Sequence, residues 1–178
     1  MNISKYEHYI DLECSNFENN ILNIKAIKID GKESLKEEIS CSDFKSCDYL
    51  LDRDDKIQLI EISDFHTQLE KLKLQYQSLK LCKDTDKKVL KRNHPMSIIK
   101  KEIRDKYIQT LLILQELVKY IDFNISKAKE YILAFCIDNI SDIMIFENIK
   151  NELLSSLKGH IEEVKLIPAM ELEKVLKL

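Results

Sequence analysis

Asp48 and Glu61 are the side chains best placed for chemistry in this sequence. They belong to Cys47-Asp48-Tyr49-Leu50-Leu51-Asp52-Arg53-Asp54-Asp55-Lys56-Ile57-Gln58-Leu59-Ile60-Glu61-Ile62-Ser63. Two short apolar runs around a polar connection read as a β-hairpin. Asp48 begins one strand and Glu61 lies near the end of its partner, so an antiparallel hairpin brings them together. Alternation along the strand puts Glu61 and Ser63 on one face and Ile60 and Ile62 on the other. Two carboxylates converging among apolar residues predict a site for a hard divalent cation, Mg²⁺ or Mn²⁺. Such an ion would polarise a phosphodiester and lower the pKa of a bound water. The Asp52–Lys56 run is a turn, because it lacks the glycine and the closing glutamate of a calcium loop.

The elements that must position this pair follow from periodicity. Tyr6, Tyr9, Ile10, Cys14 and Phe17 fall at helical spacing and predict an amphipathic helix over 5–18, ended by Asn19-Asn20. Residues 21–29 alternate as a half-buried strand, and Asp30-Gly31 turns the chain. A short helical or irregular piece, 33–39, leads into the hairpin. From Phe65, a stripe of Leu69, Leu72, Tyr76 and Leu79 predicts a helix. A longer helix follows from about Ser97 to Tyr120 or Ile121, so that about 65–121 forms a helical hairpin. The apolar run 131–137 predicts a buried strand. Ser141 or Asp142 would cap a helix carrying Ile143, Phe146, Ile149, Leu153 and Leu157, with Gly159 as its C′ residue. Val164–Ile167 is a last strand ended by Pro168, and Met170–Leu178 a short helix. The expected fold is therefore α/β (α+β): one domain over 1–178, with a central mixed sheet, an antiparallel meander, one βαβ unit, flanking helices and the hairpin insertion.

Composition narrows the functional classes. The 178 residues are 44% hydrophobic and 33% charged with a formal charge of −3, which excludes a disordered chain. Gly31 and Gly159 stand alone, which excludes a glycine-rich phosphate loop. No apolar run is long enough for a membrane span. Met1 is followed by polar residues instead of a secretory signal, and the five cysteines are irregularly spaced. A cytoplasmic protein with reduced thiols is expected. Charge is uneven: residues 1–64 hold 15 acidic and 8 basic side chains. Residues 87–106, by contrast, hold Lys87, Lys88, Lys91, Arg92, Lys100, Lys101, Arg104 and Lys106 against Glu102 and Asp105. That segment could follow a phosphate backbone, or be a solvated lysine-rich surface.

At Asp48 and Glu61 the chain resembles the PD-(D/E)xK nuclease superfamily, whose motif is an Asp on one strand followed by E-x-K on the next. The resemblance implies a helix, a three-strand meander, a helix and a return strand. In that scheme the helix from Phe65 is the core helix and 131–137 the return strand. It implies Asp48 and Glu61 as metal ligands, with Glu13 on the first helix as a further one. Cys47 stands where the family has Pro, and Ser63 where it has Lys. The family lysine stabilises developing charge, which a serine hydroxyl cannot match. Lys71 or Lys73 of the following helix is expected to substitute for it, and His66 is nearer the strand end. Two functions follow. One is a Mg²⁺- or Mn²⁺-dependent nuclease or nuclease-like domain acting on nucleic acid, its phosphates met by the 87–106 segment. The other is a non-catalytic protein-binding module on the same scaffold. This would be an immunity-type inhibitor or assembly subunit with a basic partner, or a homodimer through the helices around Leu72 and Leu111.

Overall fold

The computed structural model of the chain describes residues 1–14, 20–82, 84, 86–136 and 143–177. Its centre is a six-stranded mixed sheet in the order β1-β2-β3-β4-β5-β6. The strands are β1 (Glu7–Asp11), β2 (Ile21–Lys28), β3 (Tyr49–Asp52), β4 (Lys56–Ser63), β5 (Ala128–Phe135) and β6 (Glu163–Pro168). The first four pair antiparallel as a meander, whereas β4–β5 and β5–β6 are parallel. Parallel neighbours need long crossovers, and helices supply them. Between β4 and β5 run α2 (Phe65–Leu81), α3 (Lys87–Arg92) and α4 (Pro95–Leu117), and between β5 and β6 runs α5 (Ile143–Ser156). A four-residue α1 (Leu35–Glu38) joins β2 to β3, and α6 (Leu172–Leu176) closes the described chain. The α/β class expected from sequence is therefore what the chain adopts. No helix among the described residues is long and apolar enough to cross a membrane.

The helix expected over 5–18 is absent from the residues described there. A 3₁₀ turn, Ile3–Tyr6, leads into the edge strand β1, and 15–19 lie outside the described residues. Tyr6, Tyr9 and Ile10 fit a helical period, but Ile10, Leu12 and Cys14 also alternate; these three are buried, whereas Tyr9 is exposed. Pairing with β2 gives this segment a ladder of backbone hydrogen bonds that decides between the two periods. Elsewhere the elements shift by a few residues. The α4 helix begins at Pro95, a favoured first helical residue, two places before the expected Ser97. The expected break between the two long helices contains α3. The Ser141 or Asp142 cap lies outside the described residues, and Gly159 takes its positive φ of +84° in the turn three residues past α5.

The sheet buries both faces. On one, Ile57 and Leu59 of β4 and Tyr131, Leu133 and Phe135 of β5 pack against Phe65, Ile103, Tyr107, Phe146 and Leu153 from α2, α4 and α5. On the other, Ile60, Ile132 and Ala134 pack with Ile10, Leu22, Tyr49, Leu172 and Leu176. Phe65, Phe135 and Phe146 form a three-ring cluster with centroids 4.6–5.3 Å apart, which fixes the start of α2 against the end of β5. At the other end of β5, Glu130 is buried. It accepts from Gln58 Nε2 at 2.7 Å and pairs with Lys56 at 3.2 Å and with Lys165. Burial works against ionisation of Glu130, but these donors outweigh it and hold its carboxyl at about 2.

The expectation of five reduced thiols also changes. Cys14, after β1, and Cys136, after β5, are joined in a disulfide with Cα atoms 5.6 Å apart; Cys41, Cys47 and Cys82 are free. A separation of 122 residues carries no pairing signal in the sequence; the two cysteines meet in the core cluster that Ile10 and Leu12 share with Ile132 and Ala134.

Candidate metal and acid–lysine centre

The β3–β4 hairpin has the register Tyr49↔Ile60, Leu50↔Leu59, Leu51↔Gln58 and Asp52↔Ile57. One step further along this register, Asp48 lies across from Glu61, and the Asp48 N–H donates to the Ile60 carbonyl at 3.0 Å. The Asp48 carbonyl is taken by the N–H of Ile29, at 2.8 Å. Its side chain turns to the other neighbour, and Oδ2 accepts the Ile62 N–H at 2.7 Å. The carboxylate thus adds one rung to the ladder beside Glu61. The two acidic groups meet, as the sequence predicts.

The structure adds a third member that the sequence reading did not single out. Lys106 of α4 places its ammonium 2.5 Å from Glu61 Oε1. Lys106 lies on the helix between Ile103 and Thr110, both buried, and so faces the sheet. A lysine on an apolar helical stripe needs a carboxylate partner. That is the signal in the sequence that sets Lys106 apart from the other basic residues of 87–106.

The electrostatics of the three groups are unequal. Burial, together with repulsion from Asp48, raises the Glu61 carboxyl well above the ordinary carboxylate range, against the pull of Lys106. Burial likewise pushes Asp48 up to about 6, opposed by Lys106 and the Ile62 N–H and assisted by Asp30 and Glu13. Lys106 is held above its ordinary value: burial lowers it, but the charges of Glu61 and Asp48 outweigh that. One ammonium faces two carboxylates, which leaves negative charge in excess in a low-dielectric setting. Glu61 is 4% exposed, and its second oxygen, Oε2, accepts no hydrogen bond among the described residues. A buried acceptor left over beside excess negative charge is a group that a cation would satisfy. Among the described residues no third His, Cys, Asp or Glu completes a metal cluster. Two carboxylates nevertheless suit Mg²⁺, which usually takes one or two, with water and phosphate oxygens completing its shell.

Glu61 and Lys106, with Asp48 behind them, border a cavity of about 250 Å³ between α2 and α4, lined also by Ser63, Asp64, Gln68 and Glu102; Asp48 itself does not line it. Gln68 Nε2 donates to Glu102 Oε2 at 3.0 Å, joining the two helices at this cavity. Asp64 caps α2 by accepting the Thr67 N–H at 3.2 Å. Ser63 lines the cavity, and its carbonyl accepts the Cys136 N–H at 3.0 Å.

Other expected site residues lie elsewhere. Glu13 is exposed at φ +48°, off any helix, and its N–H bonds Asp11 Oδ1 at 3.0 Å; its charge still bears on Asp48. It makes no three-residue metal cluster with Asp48 and Glu61. Lys71 and Lys73 are exposed on α2, Lys73 pairing with Glu70 at 2.8 Å, and neither lines the cavity. Phe65, Leu69 and Leu72 take the face of α2 that packs on the core, so these two lysines lie on its solvent side. His66 is exposed. Lys87, Lys88, Lys91 and Arg92 are exposed on α3. Lys100, Lys101 and Arg104 line a different groove, about 440 Å³ between α4 and α5, where Lys100 pairs with Glu152. The basic segment and the acidic centre therefore occupy opposite flanks of α4.

No protein-family model, curated protein or solved structure matches this chain.

Proposed function

We propose that the chain is a divalent-metal-dependent nuclease-like protein acting on nucleic acid phosphodiesters. Asp48 and Glu61 would hold Mg²⁺ or Mn²⁺, and Lys106 would take the part that Ser63 cannot. The observation that supports this most is the Lys106 ammonium lying on Glu61 beside Asp48. An acid–acid–lysine set is assembled from two strands and a distant helix, and it fills the gap in the motif resemblance. The ion would act as a Lewis acid on a phosphoryl oxygen and acidify a bound water. Lys106, already turned into the cavity, would stabilise charge developing on the phosphate. The test is Mn²⁺ and Mg²⁺ calorimetry on the full chain, paired with cleavage assays on single- and double-stranded DNA and RNA. The expected outcome is one bound ion per chain and hydrolysis that chelator abolishes. No heat and no thermal shift with either ion would sink the proposal.

A second reading, a non-catalytic module that binds a protein partner, draws on α2. Beyond Leu69 this helix buries little, leaving Leu74 at 65% and Leu81 at 84% exposure. Leu72 and Leu111, the expected dimer contacts, instead pack against the core. Metal binding without hydrolysis of any nucleic acid would favour this second reading.

A further inference from the structure

Lys106 serves the centre only while its helical turn stays in register with β3 and β4. Two buried hydroxyls connect that turn to the sheet. Thr110, with no exposed surface, donates to the Lys106 carbonyl at 2.8 Å. Its oxygen also accepts the backbone N–H of Cys47 at 2.8 Å. Cys47 immediately precedes Asp48, so a single hydroxyl ties the backbone of the ammonium-bearing residue to the strand that carries the carboxylate. A threonine inside a helix commonly bonds only its own preceding turn; here it also meets a strand N–H that would otherwise be buried unpaired. Tyr131 of β5, also fully buried, donates its hydroxyl to the Ile103 carbonyl at 3.2 Å. Ile103 lies almost one turn before Lys106, and Tyr131 stands opposite Leu59 in the β4–β5 register, two residues from Glu61. Around them the core is apolar, with Ile103, Tyr107, Ile113 and Leu114 in the same cluster. Valine at 110 and phenylalanine at 131 would match these side chains in shape, so filling space does not by itself call for the hydroxyls.

We propose that Thr110 and Tyr131 are positioning residues, a two-hydroxyl brace that fixes Lys106 against Glu61 and Asp48. The purpose of the brace rests on the function proposed above. The contact it governs belongs to the chain alone, so it can be tested with neither metal nor nucleic acid. The full-length protein, labelled with ¹⁵N-lysine and stripped of metal, should show a distinct Lys106 ammonium resonance, because an ordered, half-buried ion pair slows exchange of its protons with water. Thr110→Val and Tyr131→Phe should each speed that exchange about 10-fold, the scale of losing one hydrogen bond. Thr110→Ser should restore the wild-type signal. A merely structural role would lower Tm and leave the resonance as in the wild type.

The brace is overturned if the wild type shows no protected Lys106 signal, or if the signal is unchanged in both folded variants. A change in one variant alone overturns the pairing of the two hydroxyls. Should Thr110→Val not fold, Tyr131→Phe decides, and an unchanged signal there counts against the proposal. Absence of Mn²⁺ binding would remove the nuclease-like reading without touching this result. An unchanged resonance in a chain that binds Mn²⁺ would do the reverse.

Discussion

Asp48→Asn should remove Mn²⁺ binding and make the metal-free protein more stable. The first effect follows from the loss of one of two charged ligands, about 100-fold or more in affinity. The second follows from linkage. Asp48 titrates at about 6 in the folded chain against an ordinary value of 3.8, so over this window the folded state binds a proton more tightly than the unfolded state. Stability contributed by Asp48 is therefore greatest below about pH 4, falls as the pH rises to about 6, and is flat above. At neutral pH the ionised carboxylate costs the fold about 1–3 kcal/mol. Asparagine keeps the acceptor for the Ile62 N–H and carries no charge. Its Tm at pH 7 should rise by about 2–8 °C. At pH 4 the variant and the wild type should melt together. Denaturant and thermal melts at both pH values check this, and a variant less stable at pH 7 would show that Asp48 is not burdened by burial.

Lys106→Met should act in the opposite direction. The substitution keeps the aliphatic stem but leaves two acidic groups without their ammonium, one of them with a side chain 5% exposed. Breaking a buried pair from one side costs about 3–5 kcal/mol. That loss should be greatest at pH 7–8 and smaller at pH 5, because without Lys106 both carboxyls titrate higher still and the folded state holds their protons. Mn²⁺ should recover much of the lost stability by supplying positive charge to the folded chain only. Metal-dependent cleavage should fall on the order of 100- to 1000-fold, the scale of removing a group that stabilises transition-state charge. A variant as stable as the wild type at pH 7, or a deficit that does not shrink at pH 5, would contradict the account of Lys106.

Local patterning made the motif half of the centre legible. Asp48 and Glu61 share one hairpin, and a hairpin's register follows from its own turn and alternation. Lys106 was not legible in the same way, because it arrives from a helix in the β4–β5 crossover, 45 residues further along the chain. Its position is set by Ile99, Ile103 and Tyr107 packing in the cluster that holds Tyr131 and Leu133, far from Glu61 in sequence. The substitutes expected from proximity, Lys71 and Lys73, fail because Leu69 and Leu72 take the core-facing side of α2 and leave them on the solvent side. The long helices, the meander and the strand at β5 were readable because their apolar periods are unambiguous over many residues. In the segment before β2, Tyr6, Ile10, Leu12 and Cys14 satisfy two periods at once, and only pairing with β2 selects the strand. That same choice moved Glu13 off a helix face and brought Cys14 to Cys136.

Mn²⁺ bound in a crystal of the full chain and located by its anomalous scattering tests the central claim most directly. One strong peak is expected within coordinating distance of both Asp48 and Glu61, with Glu61 Oε2 turned to the ion and Lys106 still within the cavity. Saturating Mn²⁺ that leaves no peak there, with Lys106 and Glu61 still paired as in the metal-free chain, would contradict it.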